Sequence, residues 1–282
     1  MPYTILLVGG TGVGKSSVVG FIANVLLGRV INHYDFDILD HANEQIGSGD
    51  RSQTKGARLY EFTSTNGIVV SYSALKLVGR CNLEPLLKVR ILDTPGFAET
   101  RNVQQDEFDK KGITNQIRGQ IDSVTAVLVL ANGTVPRITV GVAHALSTLS
   151  EIFPSTLANN VAFMFTNFST PLSWNFCQAS VPSVLKNARQ FKIDNPFALQ
   201  KKYLKLKNDP NVDHKATLFK EVNSGEENAL KILVDFFDWL DGLQPQRIIA
   251  EQTRGSLIGL LKKAKEKVRK WVWNVWRILM GE

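Results

Sequence analysis

Residues 5–16 read ILLVGGTGVGKS. Four aliphatic side chains in a row, with no polar alternation, predict a strand buried on both faces, as in the middle of a parallel sheet. The run, read as a strand over 3–8, stops on glycines. From there Gly9-Gly10-Thr11-Gly12-Val13-Gly14-Lys15-Ser16 fits the pattern G-x-x-x-x-G-K-[ST]. Four fixed positions arise by chance about once in a hundred chains of this size, given average residue usage. Here the pattern also has its structural context, since an expected helix over 15–27 follows. Glycines let the backbone turn tightly and aim N–H groups inward, and a helix N-terminus adds positive potential. The stretch therefore predicts a phosphate cradle of Gly10, Thr11, Gly12, Val13 and Gly14. Lys15 would neutralise phosphate charge, Ser16 would ligate Mg2+ through its hydroxyl, and Ser17 would lie by the α-phosphate.

Further elements repeat the strand-then-helix rhythm. Expected strands cover 57–62, 68–77, 89–92, 124–130 and 161–165, with Asn66-Gly67 as a hairpin turn. Expected helices cover 138–152, 178–190, 197–207 and 226–240. In the last, Ala229, Ile232, Leu233, Phe236, Phe237 and Leu240 share one face. Residues 28–54 are polar and aperiodic, which marks a functional or mobile loop, and 103–120 reads as a polar helix or a mobile switch segment. Buried strands alternating with helices define a three-layer α/β domain with a mainly parallel sheet.

The strand over 89–92 runs into Asp93-Thr94-Pro95-Gly96. Alone, D-x-x-G is an ordinary turn. Downstream of a phosphate cradle it predicts Asp93 aimed at the Mg2+ shell, typically through water, and the Gly96 N–H on a γ-phosphate, with no side chain in the way. Ser52-Gln53-Thr54 lies between the long loop and the next strand, and Thr54 is the expected second hydroxyl on Mg2+, with Ser52 as its alternative.

Of 33 basic and 26 acidic residues, nine and three fall in residues 247–282, which leaves 24 and 23 on the rest of the chain. The charge thus describes a tail, and the nearly neutral body argues against a broad nucleic-acid-binding face. Cys81 and Cys177 form no framework or metal motif. His33, His41, His144 and His214 fit no metal or triad spacing. With no leader-like start and no long apolar run, the expected compartment is the cytoplasm. The tail, 246–282, holds an expected amphipathic helix. Leu257, Leu261, Ala264, Val268, Trp271, Val275 and Leu279 form a stripe, lysines crowd the first half and tryptophans fill the second. Three occupants suit that stripe: an anionic membrane surface, the chain's own main domain, or another protein. The first would make the protein peripherally membrane-associated.

GGTGVGKSS (9–17), SQTKGARLYEF (52–62), DTPGFAETR (93–101) and ANGTVPRIT (131–139) together resemble the AIG1/IMAP-type, septin-related P-loop GTPases, over roughly residues 1–240. TPLSWNF (170–176) is similar to text in a group of fungal P-loop proteins. The resemblance implies a P-loop NTPase G domain over 1–245, GTP or GDP with Mg2+ as ligands, and a homodimer across the switch loops.

The base reader departs from that family. Where it carries a basic residue and an acid after threonine, Thr166-Asn167-Phe168-Ser169 offers Asn167 and Ser169. A neutral serine accepts one bond, where a carboxylate accepts two charge-assisted bonds from guanine. The lost contact costs about 1–3 kcal/mol of base discrimination. Asp194-Asn195 falls where the family places a second base-contacting loop, so either residue is a candidate replacement. Phe97 stands where many GTPases orient water with glutamine, so slow hydrolysis, or help from another subunit, is expected. A weak GTPase switch is the first expectation. A non-catalytic nucleotide-dependent assembly or membrane scaffold, and an ATP-binding P-loop protein, are its alternatives.

Overall fold

The structure is a computed structural model that describes residues 2–39, 57–64, 87–96, 114–115, 117–209 and 215–248. Ser52, Thr54, Phe97, the 68–77 strand with its Asn66-Gly67 turn, residues 103–113 and the tail helix lie outside the described residues. The chain divides into two units, Met1–Arg247 and Ile248–Glu282.

Strand β1 (Tyr3–Gly9) leads through the glycine loop into helix α1 (Lys15–Leu26). Strands β2 (Arg58–Thr63) and β3 (Lys88–Asp93) follow. Two-residue β4 (Ser123–Val124) precedes β5 (Ala126–Asn132) and helix α2 (Val140–Ile152). After β6 (Val161–Thr166) and β7 (Arg189–Lys192) come helices α3 (Pro196–Leu206) and α4 (Lys215–Asp241), and then β8 (Gln246–Arg247).

The main sheet runs β2-β3-β1-β5-β6-β7. All neighbours are parallel except β2 and β3. Parallel order brings the carboxyl ends of β3, β1, β5, β6 and β7 to one edge. The chain leaves β1 for β3 on one side and later returns to β5 on the other, so β1 ends at a topological switch point, where open α/β sheets bind ligands. This is the predicted mainly parallel α/β fold, with one antiparallel edge strand.

Side chains along β1 alternate between layers. Ile5 and Leu7 join a core cluster with Val18, Phe21 and Ile22 of α1 and Leu233, Phe236 and Phe237 of α4. Leu6 and Val8 are equally buried on the opposite face, where α2 packs against β1. Phe236 is fully buried, with Phe191 edge-on at 5.4 Å and Phe237 at 5.7 Å. Phe236→Ala is expected to destabilise the domain by about 3–5 kcal/mol in denaturant unfolding, because the ring's burial is lost and a cavity remains.

Two expectations need correction. The stretch 178–190, expected to be helical, makes short 3-10 turns at Gln178–Ser180 and Ser183–Leu185 and then strand β7. Pro182 supplies the reason: the residue before proline is pushed to extended backbone, and Val181 sits at φ −73°, ψ 132°. Phe191 then anchors the strand in the core beside Phe236. The strand expected over 124–130 is two strands. Thr125 separates them, exchanging bonds with Thr4 of β1 through its own N–H (2.7 Å) and its hydroxyl oxygen (3.0 Å). β4 pairs with β8, while β5 joins the main sheet.

The segment after α1 is pinned to α4. Glu226 is buried and its carboxylate accepts from the Ile31 N–H and the Tyr34 hydroxyl, both at 2.6 Å. Burial raises its pKa, and the two hydrogen bonds pull it back down. This fixes the near end of the stretch that leads toward Ser52 and Thr54.

Candidate functional site

The glycine loop adopts the conformation its sequence predicts. Gly14 occupies the left-handed region at φ 91°, ψ 23° and stands at the N-cap of α1, and Gly12 has φ 75°. A side chain at either position would strain the turn. No side chain caps α1, and the first-turn N–H groups of a helix have no intrahelical partners. The loop therefore presents backbone donors to an anion.

Lys15 is 7% exposed and folds back over the loop. Its Nζ donates to the Gly9 and Gly10 carbonyls, both at 3.0 Å. Burial lowers its pKa to about 8, and the nearby Asp93 charge works in the opposite direction. An amine held this way is poised to gain from an incoming phosphate. Ser16 Oγ donates to Asp93 Oδ2 at 2.9 Å, and Asp93 is 1% exposed. The box is fixed from beneath, because Thr94 Oγ1 donates to the Leu7 carbonyl of β1 at 2.7 Å. Ser17 is half-buried, one residue further along α1.

Gly96 lies against the opposite lip of the loop. A Cβ there would come within 2.6 Å of Thr11 Oγ1 and 2.8 Å of Thr11 Cα, so only glycine permits the approach. Thr11 Oγ1 is buried and has no hydrogen-bond partner among the described residues. An orphan hydroxyl at the lip and backbone donors at the helix start suit a polyphosphate. The Ser16–Asp93 pair places two hard oxygen donors side by side, which suits Mg2+. Among the described residues, no group of three His, Cys, Asp or Glu side chains could hold a metal. A cation here would complete its shell with water and phosphate, as Mg2+ commonly does.

The base corner lies at the same sheet edge. Thr166 is 4% exposed, and its hydroxyl donates to the Val13 carbonyl at 2.9 Å, with the Ala131 carbonyl at 3.4 Å. It ties the corner to the phosphate loop. Asn167 has φ 59°, and Asn167 and Ser169 both reach solvent. Asn195 caps α3, its Oδ1 accepting from the Phe197 N–H at 3.1 Å. Its Nδ2 is buried and has no partner among the described residues, so the amide keeps a donor for a ligand. Asp194 is half-buried and lines a groove of about 970 Å³ between α3 and α4. Burial raises its carboxyl pKa, and the Glu221 charge across the groove adds to the rise. Both effects oppose the ionised form that would read guanine best.

The geometry brings Gly10–Ser17, Asp93, Gly96, Thr166, Asn167, Ser169, Asp194 and Asn195 to the carboxyl edge of one sheet. Thr54 lies outside the described residues. Trp174 and Lys192 are part of the corner; TPLSWNF carries the tryptophan without indicating this placement, and no motif marks Lys192. The one available signal for Lys192 is Pro182, which argues against a helix over 178–190 and so leaves room for the strand that Lys192 ends.

Fold and loop together define a mainly parallel α/β fold of the P-loop type. No protein-family model matches the sequence, and no curated protein matches it. Among solved structures, the chain is similar to Toc33 from Arabidopsis thaliana in complex with GDP and Mg2+. The identity is 15% over 88% of each chain, with a TM-score of 0.49. The complex of Toc33 with Mg2+ and GMPPNP is also 15% identical, over 87% of this chain and 88% of that one, with a TM-score of 0.46.

Proposed function

We propose that this chain is a guanine-nucleotide-binding switch protein of the AIG1/IMAP type that works with Mg2+ and hydrolyses GTP slowly. The observation that carries the reading is the Ser16–Asp93 hydrogen bond at 2.9 Å beside buried Lys15, under a glycine loop at the sheet's switch point. In this reading Lys15 exchanges its two loop carbonyls for phosphate oxygens. Ser16 would hold Mg2+, with Asp93 in its shell, typically through water, and Thr54 as a further ligand. The Gly96 N–H meets the γ-phosphate, and Asn167, Ser169, Asp194 and Asn195 surround the base. Bound Mg2+ neutralises charge on the phosphates. The absent switch glutamine supports slow turnover, and a second copy meeting the switch loops would supply what this chain lacks.

Equilibrium binding of a fluorescent GTP analogue with Mg2+ and with EDTA, followed by single-turnover hydrolysis, tests the reading. Mg2+-dependent binding with slow product formation supports it. Binding without turnover would favour the scaffold reading, and no binding would end both.

We further propose that the tail reaches an anionic membrane surface from the cytoplasm. Its lysines would each contribute about 1 kcal/mol near anionic headgroups, and its tryptophans suit the headgroup boundary. Removing residues 255–282 is expected to abolish cosedimentation with phosphatidylserine vesicles and to leave nucleotide binding intact. Unchanged cosedimentation would reject the membrane role.

A further inference from the structure

We propose that Trp174 and Lys192 form a strap that fixes the spacing of the two loops at the base corner, and so sets how tightly a base is held. The proposal rests on the nucleotide-binding reading above.

Lys192 ends β7, two residues before Asp194 and three before Asn195. Trp174 belongs to the TPLSWNF stretch that begins directly after Ser169. Lys192 Nζ stands 3.9 Å from the Trp174 ring centroid and 5.2 Å from that of Phe168. Those two rings meet edge-on at 6.0 Å. An ammonium held at such distances is attracted by the negative ring faces, more strongly where water is displaced.

Each end of the strap is rigidly mounted. Trp174 packs edge-on against buried Phe165 at 4.9 Å and against Phe176 at 5.8 Å. Its stretch is tied across the end of β5, with the Asn175 N–H on the Gly133 carbonyl at 3.0 Å and the Cys177 N–H on the Pro136 carbonyl at 2.8 Å. Lys192 is held by the β6–β7 ladder. Beyond that ladder, the Ile193 N–H reaches the Phe165 carbonyl at 2.8 Å. Past this point the backbone tie between the loops is the Phe168 N–H on the Ile193 carbonyl, long at 3.3 Å. The cation and two rings therefore supply the side-chain closure that the backbone makes only weakly. Phe168 sits in this box between Asn167 and Ser169, and Asn167 keeps a left-handed φ of 59°, which asparagine adopts more readily than other side chains. Holding Phe168 inward turns Asn167 and Ser169 outward, toward solvent. Trp174 and Lys192 are positioning residues, since they act on a base through the loops they join.

The test compares GDP, ADP and inorganic pyrophosphate, each with Mg2+, on full-length protein. The ratio of GDP to pyrophosphate affinity measures what the nucleoside, ribose and base together, contributes, and the GDP to ADP ratio measures what the identity of the base contributes. Lys192→Met and Trp174→Leu are each expected to lower the first ratio about tenfold and to leave pyrophosphate affinity unchanged. Lys192→Arg should preserve the ratio, because a guanidinium also binds a ring face. An unchanged ratio in Lys192→Met overturns the strap, and that variant alone decides if Trp174→Leu fails to fold. If GDP and ADP bind equally and the strap variants weaken both, the strap stands and the guanine preference falls. If the native protein binds GDP no more tightly than pyrophosphate, the nucleoside gains nothing from the corner and the strap is overturned.

Discussion

Lys15→Met is expected to weaken GTP binding by about a hundredfold and, in the same protein, to raise the stability of the nucleotide-free state at pH 7. The loss follows from removing a charge-assisted contact to phosphate, worth about 1.5–3 kcal/mol. The gain follows from burial. The native amine is buried and its pKa is lowered to about 8 from 10.5, so the folded state carries a cost whenever that amine is charged. Every tenfold drop in the amine's proton affinity on folding corresponds to about 1.4 kcal/mol of that cost. The variant forfeits the bonds to the Gly9 and Gly10 carbonyls, which offsets part of the relief, and the expected balance is a net gain.

The pH dependence has a definite sign. Between pH 8 and 10.5 the unfolded chain holds a proton on this amine that the folded chain has released. Stability rises with pH wherever the unfolded state binds more protons. Below pH 8 both states are protonated and the full cost is present. The stability gap between Lys15→Met and the native protein should therefore be largest below pH 8 and close as pH rises toward 10.5. Denaturant unfolding of both proteins across that range checks it. A variant less stable than the native protein at pH 7 would show that the two carbonyl bonds outweigh the buried charge.

Asp93→Asn is expected to remove most of the Mg2+ dependence of nucleotide binding, a loss of about ten- to a hundredfold in the presence of the metal. A neutral amide is a poorer Mg2+ ligand than a carboxylate. A second effect follows from the charge pair. Asp93 raises the pKa of Lys15 against the stronger effect of burial, so without it the amine is lowered further. Residual binding in EDTA should then fall more steeply between pH 7 and 8 than in the native protein. Titrations with Mg2+ and with EDTA across that range separate the two effects. Mg2+ stimulation equal to native would remove Asp93 from the metal site.

The phosphate half of the site is legible in the sequence because its chemistry is local. ILLVGGTGVGKS carries the strand, the turn and the helix start in one stretch, and Asp93-Thr94-Pro95-Gly96 carries its own strand end. The pairing of Ser16 with Asp93 follows from motif order, since both motifs follow buried strands. The base half is less legible because it is assembled from distant segments. Nothing in TPLSWNF indicates that its tryptophan meets a lysine on another strand. A helix expected over 178–190 conceals that strand, although Pro182 is the signal against it. Thr166 reads in sequence as part of the base reader, and its hydroxyl instead donates to the phosphate loop. Polar periodicity likewise gives no sign that Glu226 is buried, because its partners Ile31 and Tyr34 come from a loop far away in sequence.

Occupation of this loop by a guanine nucleotide is open to direct measurement. Its most direct test is displacement of a bound fluorescent GTP analogue by unlabelled GTP, GDP and ATP, with Mg2+ present and Lys15→Met as the control. Displacement by GTP and GDP is expected at similar concentrations, displacement by ATP only at about tenfold or more higher concentration, and no specific signal in the control. ATP competing as well as GTP would contradict the guanine assignment and leave a P-loop protein whose corner at Thr166–Ser169 does not discriminate between bases.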